Sequence, residues 1–441
     1  MSADLDIARR LVEMAGGEAE AAVVRREAGL SRFANSMIHQ NVAESTMRLS
    51  LRVAVDGRVA RVEGNRIDDD ALQALADRAV AAARLLPVDP DWPGVAPPSA
   101  FEAGDHHDPE TADAGPDVRA AHVKAFVESG DGLAAAGFVE TSFGAVSFAN
   151  SAGLALATRS TRATIDGIHQ TGTSAGKAHE TSARLADVDG GRAGAAAARL
   201  ARDGVDPIDL EAGRYEVVLG PECVATVAQF LGFNGFNAKR VEEGQSFVVI
   251  GSEQLDPAIS LWDDATDPRA VGYTFDSEGT PKRRVDFVDR GVSVGLAHDR
   301  RTAHKMGAES TGHAVPGGES FGAFPTNLFV GPGSTDVDGM VSAISRGLLV
   351  TEFNYCRILD PKTQVVTGLT RNGTFLVEGG HVVAAVRNLR FTQSFSQALE
   401  RGRVLAVGRQ ARFADGEFGP GNVIAPAVHL AEWNFTGSGR G

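Results

Sequence analysis

The chain has 441 residues, 43 % of them hydrophobic and 23 % charged, the balance of a folded protein long enough for two or three domains. A formal net charge of −14 argues against nucleic acid or an anionic membrane surface as a direct partner, because both repel an acidic protein. There is no run of 18 apolar residues and no basic start leading into an apolar stretch, and Cys223 and Cys356 are too few for a disulfide framework, so a reduced cytoplasmic protein is expected.

Taken in order, apolar spacing predicts an amphipathic helix over 4–14 and strands over 21–24 and 47–55. A helix follows over 69–86: Asp68, Asp69 and Asp70 open it, and Leu72, Leu75, Ala79 and Ala83 recur on one face. Residues 87–116 are rich in proline and acids and read as a loop, with a helix over 117–129 behind them. Alternation then predicts strands over 138–141 and 155–164, interrupted by Asn150-Ser151-Ala152-Gly153, and an Ala-rich helix over 192–202. Residues 208–214 read as a boundary. Beyond it come a strand over 215–219, helices over 222–231 and 336–348, and two hairpins. The first hairpin turns at Asp289-Arg290-Gly291 and the second at Glu378-Gly379-Gly380, both glycine-bearing. Between them Asp299 is placed to cap a helix that Gly307 stops after Met306. The expected fold is α+β, with an N-terminal mixed domain of helices on a sheet (1–207) and a strand-rich C-terminal domain of hairpins with a few helices (208–441).

Catalytic constellations are sparse. Gly172-Thr173-Ser174-Ala175-Gly176 fits the Gly-x-Ser-x-Gly elbow, which needs a strand before it and a helix after it, and residues 177–189 make a poor helix. Asp105-His106-His107-Asp108 has a metal-like composition, but neighbouring histidines diverge and a surface loop is expected. His298, His304 and His313 lack the spacing that stacks two imidazoles on one helical face, and satisfied surface histidines are expected. Ser310-Thr311-Gly312-His313 reads as a polar, flexible tip between Gly307 and Pro316-Gly317-Gly318.

The ordered set of short motifs resembles the TldD/PmbA family, in which PmbA is also called TldE. It comprises Arg32-Phe33-Ala34-Asn35-Ser36, Val55-Asp56-Gly57-Arg58, Asn150 to Leu154, Ser310 to His313, Gly347-Leu348-Leu349-Val350-Thr351-Glu352, and the run from Arg371-Asn372-Gly373 to Gly380. The family's TldD branch resembles a zinc peptidase carrying His-Glu-x-x-x-His on a helix, with a later cysteine completing the ligands. The matching place here is Pro221-Glu222-Cys223-Val224-Ala225-Thr226, where only Glu222 survives; Pro221 and Thr226 supply no imidazole, and residues 413–428 contain no cysteine. The resemblance therefore implies the TldE/PmbA branch: no catalytic or metal-binding residue in this chain, zinc in a TldD-type partner subunit, a dimer, and peptide substrates. It also implies substrate or partner contacts at Ser310, Thr311, Gly312 and His313. Two rivals remain, a stand-alone serine-type hydrolase using Ser174 with a distant histidine such as His298, and a non-enzymatic peptide-binding homodimer.

Overall fold

Alternating small apolar and polar residues dominate the first part of the chain, and they produce long antiparallel hairpins. The computed structural model describes residues 2–101, 104 and 106–438. After α1 (Ser2–Ala15) come β1 (Glu18–Ala34), β2 (Met37–Val55), β3 (Arg58–Gly64), α2 (Asp69–Leu85), the single turn α3 (Pro109–Ala112) and α4 (Pro116–Glu128). β4 (Ala134–Asn150), β5 (Ala155–Gln170), β6 (Ala175–Ser182) and α5 (Gly190–Asp203) follow. The six strands form one antiparallel sheet in the order β3-β2-β1-β4-β5-β6. Helices α1 and α2 bury Leu11, Leu72 and Ala79 against Leu49, Leu51 and Val53 of β2. α4 and α5 bury Phe126 and Ala197 against Val139 and Ile165.

The rest is strand-rich: β7 (Gly213–Leu219), α6 (Pro221–Phe230), α7 (Ala238–Glu242), β8 (Leu261–Asp263), β9 (Val285–Asp289), β10 (Val292–Ser293), α8 (Arg300–Met306), β11 (Leu328–Val330) and α9 (Val337–Ala343). It continues with β12 (Arg346–Asp360), β13 (Val365–Glu378), β14 (His381–Ala385), β15 (Leu389–Ser394), α10 (Phe395–Ala398), β16 (Val404–Val407), β17 (Arg412–Gly416), β18 (Gly419–Ala425) and β19 (Val428–Ser438). One sheet runs β10-β9-β8-β11-β18-β17. The other, β12-β7-β19-β15-β13, closes on itself because β12 also pairs with β13, and β14 hangs on β13 as an edge strand whose Ala385 carbonyl accepts from Ile208 N. Phe353, Phe391, Phe395 and Trp433 pack as an aromatic cluster within the core of this part. The α+β class stands, and no described helix is long and apolar enough to cross a membrane.

Three sequence expectations need correction. β2 starts at Met37 rather than at residue 47, because residues 37–46 are exposed and carry no burial pattern, and the ladder to β1 alone holds them extended. The helix expected over 336–348 is only α9: Asp336 caps it by accepting from Gly339 N at 2.7 Å, and Leu348 already lies in β12 between β7 and β13. The loop over 87–116 contains α3, whose cap is Asp108.

Candidate functional site

Period-two geometry places Lys177 and His179 of β6 on one face of that strand, and the β5 ladder sets Asp166 directly opposite His179. β6 is the edge of its sheet and packs against β17 and β13 of the C-terminal part. Asp415 of β17 and Glu352 of β12 meet it there. The Lys177 ammonium sits among three carboxylates, 2.7 Å from Asp415 Oδ2, 3.1 Å from Glu352 Oε1 and 3.4 Å from Asp166 Oδ2. His179 Nδ1 lies 3.1 Å from the same Asp166 oxygen. Local backbone irregularity aims Glu352: the β12–β13 register shifts between Val350 and Glu352, and Asn372, at φ 55°, donates its Nδ2 to Glu352 Oε2 at 2.7 Å.

Burial alone would lower the Lys177 ammonium, but the charges of Glu352, Asp166 and Asp415 outweigh it and hold the amine firmly protonated. It is therefore unsuited to act as a base or to form a Schiff base. Burial would raise Asp166, yet the His179 hydrogen bond and the Lys177 charge hold it below the usual carboxylate range. Glu352 moves the other way: burial pushes it up despite the Lys177 charge and the hydrogen bonds from Asn372 and Lys177, and the nearby Glu222 charge adds to the rise. A cavity of about 920 Å³ opens beside this cluster, bordered by Lys177, Glu222, Glu352, Phe375, Arg412 and the exposed residues of β14.

The degenerate motif borders the same cavity. Pro221 is the first residue of α6, and Glu222 in its first turn is ion-paired at 2.7 Å with Arg412 of β17. The Thr226 hydroxyl is buried and donates to the Glu222 carbonyl at 3.1 Å. Cys223 is fully buried, and that burial drives its thiol well above its ordinary range, so it is not a thiolate ligand. Glu222 thus has no imidazole or thiolate partner on this helix, and residues 221–226 do not fit zinc.

Other predicted residues lie elsewhere. Ser310, Thr311, Gly312 and His313 are no flexible tip. His313 is fully buried, with Nε2 at 3.1 Å from the buried Asp263 and Nδ1 at 2.8 Å from Thr311 Oγ1. The Thr311 hydroxyl also accepts from His298 N at 2.7 Å. Burial would raise Asp263, but the His313 charge and hydrogen bond keep it low. His298 and His313 are internal, against the surface expectation, while His304 is exposed. Asp105 lies outside the described residues. His106 is buried, not on the surface, and donates Nε2 to the Ala265 carbonyl at 2.7 Å; His107 stands edge-on to Phe143, and Asp108 caps α3. Gly172 to Ser174 lie in the turn between β5 and β6, and Ala175 and Gly176 begin β6, so a strand follows where an elbow requires a helix. The Ser174 hydroxyl bonds Thr171 Oγ1 at 2.6 Å and donates to the Ala201 carbonyl, and Gly176 is small because the α5 backbone at Ala197 and Ala201 abuts it.

Sequence reasoning missed Lys177, Asp166, His179, Asp415 and Arg412. The available signal was a lysine two residues from a histidine on an otherwise small-residue strand, too common a pattern to stand out.

Two family profiles match the chain: PmbA/TldA metallopeptidase domain 1 over residues 19–83 and the PmbA/TldA metallopeptidase C-terminal domain over 212–437. A Haemophilus influenzae protein named metalloprotease TldD homolog is 24 % identical over 258 residues, 55 % of this chain and 52 % of that one. A Methanothermobacter thermautotrophicus metalloprotease is 23 % identical over 244 residues, 54 % and 51 % of the two chains. The chain thus spans about half the length of the curated relatives it matches. In structure it is similar to TldE from Thermococcus kodakarensis, with a TM-score of 0.87 at 18 % identity over 98 % of this chain and 99 % of that one. It is similar too to a Thermotoga maritima protein described as a modulator of a DNA gyrase, with a TM-score of 0.85 at 17 % identity over 98 % and 99 %. These structural likenesses establish a shared fold.

Proposed function

Because the chain belongs to the PmbA/TldD metallopeptidase family, we propose that it is the metal-free, TldE/PmbA-type subunit of a two-chain zinc peptidase that cleaves short or unfolded peptides. A TldD-type partner holds the zinc, and the pair works in the cytoplasm. The observation that carries this reading is the state of Glu222: the one motif residue retained is tied to Arg412, and the nearby carboxylates of Asp166, Glu352 and Asp415 are ion-paired with Lys177. Where a metallopeptidase presents ligands and a free general base, this chain presents closed ion pairs. Peptide as the substrate class is supported by the edge strand β14, whose exposed Val382 and Val383 border the cavity.

The test is zinc content and peptide cleavage by the purified chain, alone and mixed with a TldD-type partner. The expected result is no zinc and no cleavage alone, then cleavage with about one zinc per heterodimer on mixing. Stoichiometric zinc or robust cleavage by the chain alone overturns the proposal. Failure to associate with such a partner, with peptide bound by a dimer of this chain, favours the non-enzymatic homodimer.

A further inference from the structure

We propose that Asp166, His179 and Asp415 form a latent divalent-cation site that the Lys177 ammonium keeps closed. The inference rests on the metal-free reading above and adds what makes the chain metal-free at this place. One donor atom from each of the three side chains lies within 4.8 Å of those from the other two, close enough to converge on one ion. The set is two carboxylates and one imidazole, a mixed oxygen and nitrogen donor set that suits zinc. None of the three belongs to the helix where the family's zinc motif lies; they stand on β5, β6 and β17, Asp166 and His179 paired in one ladder and Asp415 at the register shift between Ala414 and Gly416.

Two observations go beyond proximity. The His179 side chain is 1 % exposed, bonded to Asp166 at Nδ1, and its buried Nε2 has no hydrogen-bond partner among the described residues. A cation already occupies the cluster: Lys177 Nζ stands within 3.4 Å of an oxygen on each of the two aspartates. Metal–ligand bonds here would be about 2.0–2.2 Å, so an ion seated among these donors would overlap the ammonium and meet its charge. Occupancy by lysine and by metal is mutually exclusive. Deleting the ammonium leaves carboxylates facing one another without a countercharge, which a divalent ion restores.

The test compares the unaltered chain with the variant Lys177→Ala, Glu352→Gln, which removes one positive and one negative charge together and so spares the fold the loss of Lys177 alone. Zinc is added to each, the excess removed, and bound metal and thermal midpoint measured. The unaltered chain should retain no zinc here, while the variant should retain about one per chain and show a higher midpoint with zinc than without it. A further His179→Ala change should abolish both effects. The inference is overturned if the variant, folded by circular dichroism, retains no more zinc than the unaltered chain, or if its zinc survives His179→Ala. Zinc in the unaltered chain that survives His179→Ala, with a second ion in the variant, supports this inference while removing the metal-free reading on which it was framed.

Discussion

Glu222 Oε1 lies 2.7 Å from the guanidinium of Arg412, a pairing that joins the first turn of α6 to β17 across the mouth of the cavity. Arg412 is half exposed and Glu222 mostly buried, so the contact is screened and modest. Arg412→Ala should lower stability in urea unfolding by about 0.5–1 kcal/mol. It should not create zinc binding, because a freed Glu222 has no imidazole beside it. Stoichiometric zinc in metal analysis of the Arg412→Ala chain would show that this pair alone had kept a metal out.

Ser174 holds a turn together through its hydroxyl. Ser174→Ala removes its hydrogen bonds to Thr171 and to the Ala201 carbonyl and should cost about 1 kcal/mol in the same unfolding measurement. Peptide cleavage by the proposed two-chain complex should be unchanged. A folded variant that has lost cleavage would restore the serine-hydrolase reading.

His298 should govern part of the acid sensitivity. Its burial, with the His313 charge added, lowers it to about 4 from its ordinary 6.5, so the folded chain keeps the ring neutral where the unfolded chain takes up a proton. Between those values the unfolded state binds more protons, and stability rises with pH. Stability from this group is complete above pH 6.5 and is lost as the pH falls toward 4. His298→Gln should flatten the slope of the urea midpoint across that window. An unchanged slope would place the proton uptake elsewhere.

Much of the fold was legible because local chemistry and burial agree. Asp68 caps α2 as its position suggests, accepting from Ala71 N at 3.1 Å, and Asp299 and Gly307 bound α8 with Gly307 at φ 64°. Several motifs that carried the family resemblance are turn residues: Asn35 and Ser36, Asp56 and Gly57, and Gly379 and Gly380 all have positive φ. They record backbone geometry rather than chemistry. Where burial supplies no pattern, as along residues 37–46, the strand was invisible. The candidate site was invisible for another reason. Lys177 and Asp415 are 238 residues apart, and each alone looks like an ordinary surface charge. Only the packing of β6 on β17 and β13, which brings Glu352 of β12 alongside, turns them into one cluster, and local sequence does not encode that contact. Glu222 was legible because a known motif pointed to it; Arg412, its partner, had no such pointer.

The closed ring of strands sets an order on the birth of the molecule. β7 pairs its Leu219 with Val428 and its Gly213 with Phe435 of β19, more than two hundred residues later in the chain. Until β19 leaves the ribosome, β7 and β15 each carry an open edge, and the Trp433 slot in the aromatic core is unfilled. The nascent chain therefore passes through a long interval with exposed strand edges, the state most prone to mispairing with a neighbour. A ribosome stalled just before β19 would leave a product that no amount of time could finish folding.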